Sequence, residues 1–130
     1  MLKWVLIAVG GGIGSILRYA MQGLVGQQVA GRVFPLGTMC VNILGCLIIG
    51  LLSGFFRGPN GLRIAQEYRI GLMVGVLGGF TTFSSFGLET FDLSNSGDHL
   101  SAALNVVLSC VIGLAAVWLG FRLSERWFGV

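Results

Sequence analysis

The chain has 130 residues, of which 55% are hydrophobic and 10% are charged. Soluble domains carry about a quarter charged residues, so this composition excludes an ordinary soluble domain and favours a membrane protein. The formal net charge is +3, but the basic residues are scattered singly along the chain, which argues against a nucleic-acid partner.

Four apolar segments follow one another along the chain, and together they predict one all-α transmembrane domain over residues 1–130. The predicted spans are residues 4–25, 36–56, 70–91 and 100–121. A helix needs about 20 apolar residues to cross a bilayer, so four use about 80 residues and leave no room for a soluble domain. Lys3 precedes an apolar run with no small-x-small cleavage pattern before Arg18, so we interpret that run as the first span.

Lys and Arg are unequally distributed between the two sides of the predicted spans. Arg32 is the basic residue of the opposite loops, whereas the terminal side carries Lys3, Arg57, Arg63, Arg69, Arg122 and Arg126. The positive-inside rule therefore predicts that both ends of the chain are cytoplasmic.

Small residues recur at helical spacing within the spans. Of the 22 glycines, several are four residues apart: Gly10 and Gly14, Gly50 and Gly54, and Gly71, Gly75 and Gly79. This spacing lets helix backbones approach closely in lipid, so we expect intramolecular packing. Cys40, Cys46 and Cys110 match no metal-ligand spacing and are interpreted as small packing residues.

The third span carries an unusual polar segment near its midpoint, with two adjacent glycines and four hydroxyl side chains within residues 78–86. We predict that the helix is broken there, which frees backbone groups that protein, ions or water must satisfy. The alternative is a continuous helix whose hydroxyls bond back to the preceding turn.

Uncharged polar residues also follow one face of two other spans. Thr38 and Asn42 are four residues apart in the second span, and the fourth span repeats the spacing with Ser101, Asn105, Ser109 and Gly113. Hydroxyl and amide donors without fixed carboxylates suit a small anion that must exchange its water shell. A lone intramembrane Asn is otherwise common as a link between helices.

Two aromatic and two charged residues are further candidates. Phe83 and Phe86 flank the hydroxyls, and the positive edge of a ring can hold an anion weakly, although most such rings contact lipid or core. Arg18 lies within the far boundary of the first span or snorkels to it. Glu89 follows the predicted break and is either a vestibule residue or a span-end carboxylate.

The order of these motifs resembles the Fluc (CrcB) fluoride channel family over essentially the whole chain. The resemblance is carried by GGFTTFSSF at residues 78–86 followed by Glu89, by the pattern Gly37-Thr38-x-x-Val41-Asn42-x-x-Gly45, and by Arg18-Tyr19. It implies a bacterial inner-membrane channel that exports cytoplasmic fluoride passively. It also implies an antiparallel, dual-topology homodimer with two pores and a structural sodium ion at the twofold axis.

The resemblance also implies roles for individual residues. The fluoride pore would be lined by Phe83, Phe86, Asn42, Ser109, Thr38 and Ser85, with Glu89 near a pore mouth and Arg18 at a vestibule. The backbone carbonyls of Gly78 and Thr81 would bind the sodium ion. Relatives often have a tyrosine and a second serine where this chain has Asn105 and Gly113, and the basic bias leaves open pairing with an inverted sister protein.

Other functions fit the sequence less well. A small multidrug-resistance-type proton antiporter needs an ionisable carboxylate deep in the first span, which has none. A membrane enzyme such as a lipid kinase needs clustered carboxylates for metal and phosphate chemistry, which the spans lack. A purely structural subunit leaves the polar stripes unexplained.

Overall fold

The computed structural model describes residues 1–26, 34–57 and 64–128, and these residues form an all-helical fold. The helices are α1 (Leu2–Gly26), α2 (Leu36–Arg57), α3 (Gln66–Ile70), a π-helical segment (Gly71–Leu77), α4 (Gly78–Phe80), α5 (Phe83–Asn95) and α6 (His99–Phe128). Arg32, Arg63 and the Gly58–Gly61 turn motif that separates the second and third spans lie outside the described residues.

Among the residues that the structure describes, four helical stretches are long and apolar enough to cross a membrane, at Leu2–Val25, Leu36–Arg57, Gln66–Asn95 and His99–Trp127. They correspond to the four predicted spans. The third stretch extends four residues beyond the prediction at each end, because polar residues such as Gln66 and Asn95 continue the helix past its apolar part. Helix ends therefore do not coincide with the ends of the hydrophobic segment.

The third span is interrupted, as predicted, at Thr81 and Thr82. Thr81 has φ −78° and ψ 154°, and Thr82 has φ −148° and ψ 114°, so two consecutive residues are extended. The adjacent glycines that suggested the break, Gly78 and Gly79, are themselves helical. A Cβ on Gly79 would lie 2.5 Å from the carbonyl oxygen of Gly11, so this glycine serves helix packing instead.

The two halves of the third span pack against different helices. Its first half, residues 66–80, lies along α1, whereas α5 contacts α6, and α2 packs along most of α6. The break therefore lies between two helix pairs. One pair is α1 with the first half of the third span, and the other is α2 with α6.

Glycines allow close contact between the two helices within each pair. A Cβ on Gly10 would lie 2.8 Å from the carbonyl oxygen of Gly71, and one on Gly54 would lie 2.6 Å from Cβ of Ser124. Neither neighbour is the far end of a flexible chain, so a larger residue would force the helices apart. The predicted use of these glycines in intramolecular packing is confirmed.

We expect Gly14→Ala to destabilise the fold, whereas Gly12→Ala is the matched control. A Cβ at Gly14 would overlap the carbonyl of Val76 and lie 2.7 Å from the amide nitrogen of Phe80, but a Cβ at Gly12 meets no atom within 4 Å. Both changes gain the same helix propensity, so their difference isolates the clash, which costs about 1–3 kcal/mol. Thermal unfolding in detergent measures it, and equal midpoints for the two variants would contradict the packing described.

Basic side chains at one end of the bundle lie over aromatic rings. The guanidinium of Arg69 is 4.9 Å from the ring centre of Phe56, and that of Arg57 is 5.9 Å from the ring centre of Phe121. These contacts join the end of α2 to α3 and to the last turns of α6. Arg57 and Arg69, two of the basic residues assigned to one side of the membrane, thus lie at a common end of the fold.

Candidate functional site

The break in the third span is held in place by Asn42 of α2. The side-chain amide nitrogen of Asn42 donates to the carbonyl oxygen of Thr82 at 3.0 Å, and its Oδ1 accepts from the backbone amide of Thr82 at 2.8 Å. One side chain therefore satisfies both backbone groups of an extended residue inside the membrane region, where an unpaired backbone group costs several kcal/mol. The second N–H of this amide is left for another acceptor.

Hydroxyl groups cap the helix that resumes after the break. The Oγ1 of Thr82 accepts from the backbone amide of Ser85 at 3.2 Å and donates to Oγ of Ser85 at 3.0 Å. It also lies 3.2 Å from Oγ of Ser84. Thr81 follows the alternative expectation, because its Oγ1 donates to the carbonyl of Leu77 at 3.0 Å. The hydroxyls thus begin α5 and close the helix before it.

The same contacts release two backbone carbonyls from their helical donors. In a continuous helix the amide of Thr82 would donate to Gly78, and the amide of Ser85 would donate to Thr81. Here the first amide is used by Asn42 and the second by Thr82. The carbonyls of Gly78 and Thr81 are the two that the resemblance assigned to sodium, and the break makes both available as oxygen ligands.

A cavity of about 350 Å³ lies beside the break, and four predicted pore residues line it: Phe83, Phe86, Asn42 and Ser109. Its other lining residues are Gly45, Cys46, Ile49, Met73, Leu77, Gly78, Thr81, Thr82 and Cys110. The two phenylalanine rings have centroids 5.5 Å apart and are tilted by 45°. Most of the wall is therefore apolar, with a few uncharged hydrogen-bonding groups.

Three other residues predicted for the pore, Thr38, Ser85 and Glu89, do not line this cavity. Thr38 is 3% exposed; its hydroxyl accepts from the amide nitrogen of Gln22 at 2.9 Å and donates to Oε1 of Glu89 at 2.6 Å. The other carboxylate oxygen, Oε2, is buried without a hydrogen-bond partner among the described residues. Glu89 is thus bonded to α2, and Thr38 links it in turn to Gln22 of α1. Its place at a pore mouth stays a prediction.

Gln22 was not among the residues that the sequence predicted for the site. The available signal was a polar side chain in an apolar span, four residues after Arg18 and therefore on the same face of α1. Arg18 itself is half-buried on α1 and does not line the cavity. Its vestibule role stays a prediction.

A second unassigned side chain, Asn105, links α5 to α6. It is 1% exposed; its amide donates to Oγ1 of Thr90 at 2.8 Å, and Oγ of Ser109 donates to its Oδ1 at 3.4 Å. Thr90, also absent from the predicted site, donates in turn to the carbonyl of Phe86 at 2.7 Å. The polar stripe of α6 therefore fixes the helix that carries the two rings.

We expect Thr38→Val, which keeps the shape and removes the hydroxyl, to lower stability. The change leaves the amide of Gln22 and Oε1 of Glu89 without their shared partner, at a cost of about 1–3 kcal/mol. Thr38→Ser keeps the hydroxyl and is the control. Thermal unfolding in detergent compares them, and a Thr38→Val midpoint as high as that of Thr38→Ser would count against this network.

Comparison with known proteins gives consistent matches over nearly the whole chain. The family model described as "CrcB-like protein, Camphor Resistance (CrcB)" matches residues 5–121. A relative from Geobacter metallireducens is 47% identical over 126 residues, covering 97% of this chain and 99% of the relative. Others from Methylobacillus flagellatus and Rhodospirillum rubrum are each 46% identical, covering 96% and 92% of this chain and the same shares of their own lengths. All three are named "Fluoride-specific ion channel FluC".

Proposed function

This chain belongs to the CrcB family, and from that premise we propose that it is a multi-pass membrane protein that acts as a fluoride-selective ion channel, not as an enzyme. The observation that carries the proposal is the cavity where Asn42, Ser109 and the rings of Phe83 and Phe86 meet beside the broken helix. The names of the relatives identify fluoride as the ion, and this cavity is the proposed place for it.

The chemistry of the cavity suits a small, strongly hydrated anion. The second N–H of Asn42 is a donor fixed in position, since the rest of that amide is held by Thr82. The hydroxyl of Ser109 makes a long contact of 3.4 Å to Asn105, so it can turn towards an anion at little cost. Donors of this kind replace hydration water without binding the ion too tightly to leave.

The two phenylalanine rings complete the proposed path. Phe83 is 84% exposed in the single chain, and the ring of Phe86 lies beside it. The edge of an aromatic ring carries partial positive charge, so it attracts an anion less strongly than an ammonium does. Thr38, Ser85, Glu89 and Arg18 are proposed to act further along the path or at its mouths.

We propose that conduction is passive and that it exports cytoplasmic fluoride across a bacterial inner membrane. Fluoride enters a cell as the neutral acid and is trapped inside as the anion, so an open path for the anion suffices for its removal. Glu89, the carboxylate that a proton-coupled antiporter would use, is bonded to Thr38 and lies outside the cavity. The antiporter therefore receives no support from the geometry.

We propose further that two copies assemble as an antiparallel, dual-topology homodimer with two pores. The cavity is open to its surroundings in the single chain, and Phe83, which lines it beside the break, is 84% exposed. A dehydrated path needs a wall at this opening, and a second inverted copy would supply it. An inverted sister protein would serve equally, and the basic end of this chain keeps that arrangement open.

The carbonyls of Gly78 and Thr81 fit a structural sodium ion at the proposed twofold axis. Both are freed from helical donors by the contacts of Thr82, and carbonyls of unwound membrane helices are suitable sodium ligands. We expect the thermal unfolding midpoint of the assembled protein to be higher in sodium than in lithium or potassium at equal ionic strength. Equal midpoints in the three salts would argue against the sodium site.

The decisive test of the channel is ion efflux from liposomes that contain the purified protein. We expect rapid fluoride efflux when the charge is compensated by a potassium ionophore, and far slower chloride efflux from matched liposomes. Protein-free liposomes give the leak. Fluoride efflux at the leak rate, or equal rates for the two halides, would refute the proposed function.

A further inference from the structure

Sulfur side chains from three different helical segments line the cavity. They are Cys46 of α2, Met73 of the π-helical segment and Cys110 of α6. The sequence suggested only a packing role for the cysteines, and Cys40, which does not line the cavity, is consistent with that role. The other two thiols both line the proposed ion path.

The two cavity thiols belong to α2 and α6, two helices that pack against each other. The sulfur of Cys46 lies 3.6 Å from the point that a Cβ on Gly113 would occupy. Gly113 follows Cys110 by three residues on α6, so their Cβ positions are about 5–6 Å apart. Because Gly113 has no side chain, no group at that position shields the sulfur of Cys46 from the turn of α6 that carries Cys110.

This donor set selects a particular class of metal ion. Thiolate and thioether ligands favour soft cations, whereas no carboxylate of the described residues lines the cavity. The described residues contain no group of three or more His, Cys, Asp or Glu that could hold a metal, so a tetrahedral zinc-type site is not formed there. Two thiols instead suit a soft cation that takes two ligands in line.

We propose that Cys46 and Cys110 bind a soft, two-coordinate cation of the Cu⁺, Ag⁺ and Hg²⁺ class inside this cavity, with Met73 as a weaker third donor. With mercuric chloride as the probe, two S–H and two Hg–Cl bonds break and two Hg–S bonds form. Two protons and two chloride ions leave, and no atom changes oxidation state. Mercuric chloride is neutral, so it reaches the site through lipid or along the path.

Occupation of this site is expected to stop fluoride conduction. The metal narrows the cavity beside Asn42 and Phe86, and its positive charge turns a weak anion site in a low-dielectric surrounding into a strong one. An ion held tightly does not move on, since conduction requires weak binding. This effect rests on the proposed function, whereas metal binding does not.

Metal binding is measured first, without any transport. In the Cys40→Ser variant we expect one mercury per chain and the loss of both remaining reactive thiols. The unmodified protein gives a second readout, since peptide mapping after alkylation should show Cys40 modified and both Cys46 and Cys110 protected. Two mercury ions per chain, one remaining reactive thiol, or no bound mercury would overturn the two-thiol site.

Fluoride efflux is then measured with each variant normalised to its own mercury-free rate. The Cys40→Ser control should be blocked like the unmodified protein. Cys46→Ser and Cys110→Ser should each need about 100-fold more mercury, because one-point attachment loses the gain of the second bond. Unchanged block in both variants, or undiminished efflux with mercury bound, would refute the proposal. Absence of efflux before mercury is added would instead refute the proposed channel function. The measurement of mercury binding would still test the two-thiol site.

Discussion

Fluoride efflux through an Asn42→Ala variant is expected to be at least about 100-fold slower than through the unmodified protein. The change removes the donor to the Thr82 carbonyl, the acceptor of the Thr82 amide and the second N–H that is proposed as a donor to the ion. A buried group that loses its partner costs about 1–3 kcal/mol, and about 2.7 kcal/mol corresponds to 100-fold in rate. Efflux from liposomes measures the loss, with assembly checked by size-exclusion chromatography.

Asn105→Ala is the matched control for that experiment. Asn105 is likewise an amide with two hydrogen-bond partners, Thr90 and Ser109, and is more deeply buried than the half-buried Asn42, but it does not touch the break. We expect its replacement to lower thermal stability and to reduce efflux much less than the change at Asn42. Undiminished efflux in Asn42→Ala, or equal loss in the two assembled variants, would remove the special role of the Asn42–Thr82 contacts.

Phe83→Ile is expected to slow fluoride efflux by at least about tenfold while the protein still folds. The ring is 84% exposed in the single chain, so its replacement leaves no cavity in a packed core. What is lost is the ring edge beside Phe86 in the proposed path, and loss of about 1.4 kcal/mol of transition-state stabilisation gives a tenfold change.

The control is Phe91→Ile on the same helix. Phe91 is 63% exposed and does not line the cavity, so the same change of side chain should leave the efflux rate nearly unaltered. Equal rates for the two variants would show that the aromatic ring at Phe83 is not part of the path. If Asn42→Ala also conducted normally, the assigned pathway would be wrong as a whole.

The main features of the fold are predictable because they depend on local composition. Apolar length alone gives four spans, and the glycines and hydroxyls of residues 78–86 mark the place where the third is broken. The exact position of the break differs from the prediction, because Gly78 and Gly79 remain helical and the extended residues are Thr81 and Thr82. Gly79 is held against Gly11 of α1, a contact that no local pattern reveals.

The site was less predictable than the fold, because its contacts join residues that are far apart in the sequence. Placing Thr38 and Asn42 on one face needed only the helical repeat, but their partners come from distant parts of the chain. Thr38 bonds Glu89 across 51 positions, and Asn42 bonds Thr82 across 40. Gln22 was missed because a single Gln in an apolar span has no partner in the linear pattern. The dimer and the sodium ion stay predictions from the family.

The attachment of Thr82 to Asn42 also bears on how the protein is made. If the third span entered the lipid by itself, the amide and the carbonyl of Thr82 would lack partners inside the bilayer, at a cost of several kcal/mol each. The second span is synthesised before the third, so Asn42 can already be in the bilayer to bond the backbone of Thr82 when the third span inserts. Biogenesis thus favours this helix order, and a circular permutant that delivers the third helix before the second is expected to insert poorly.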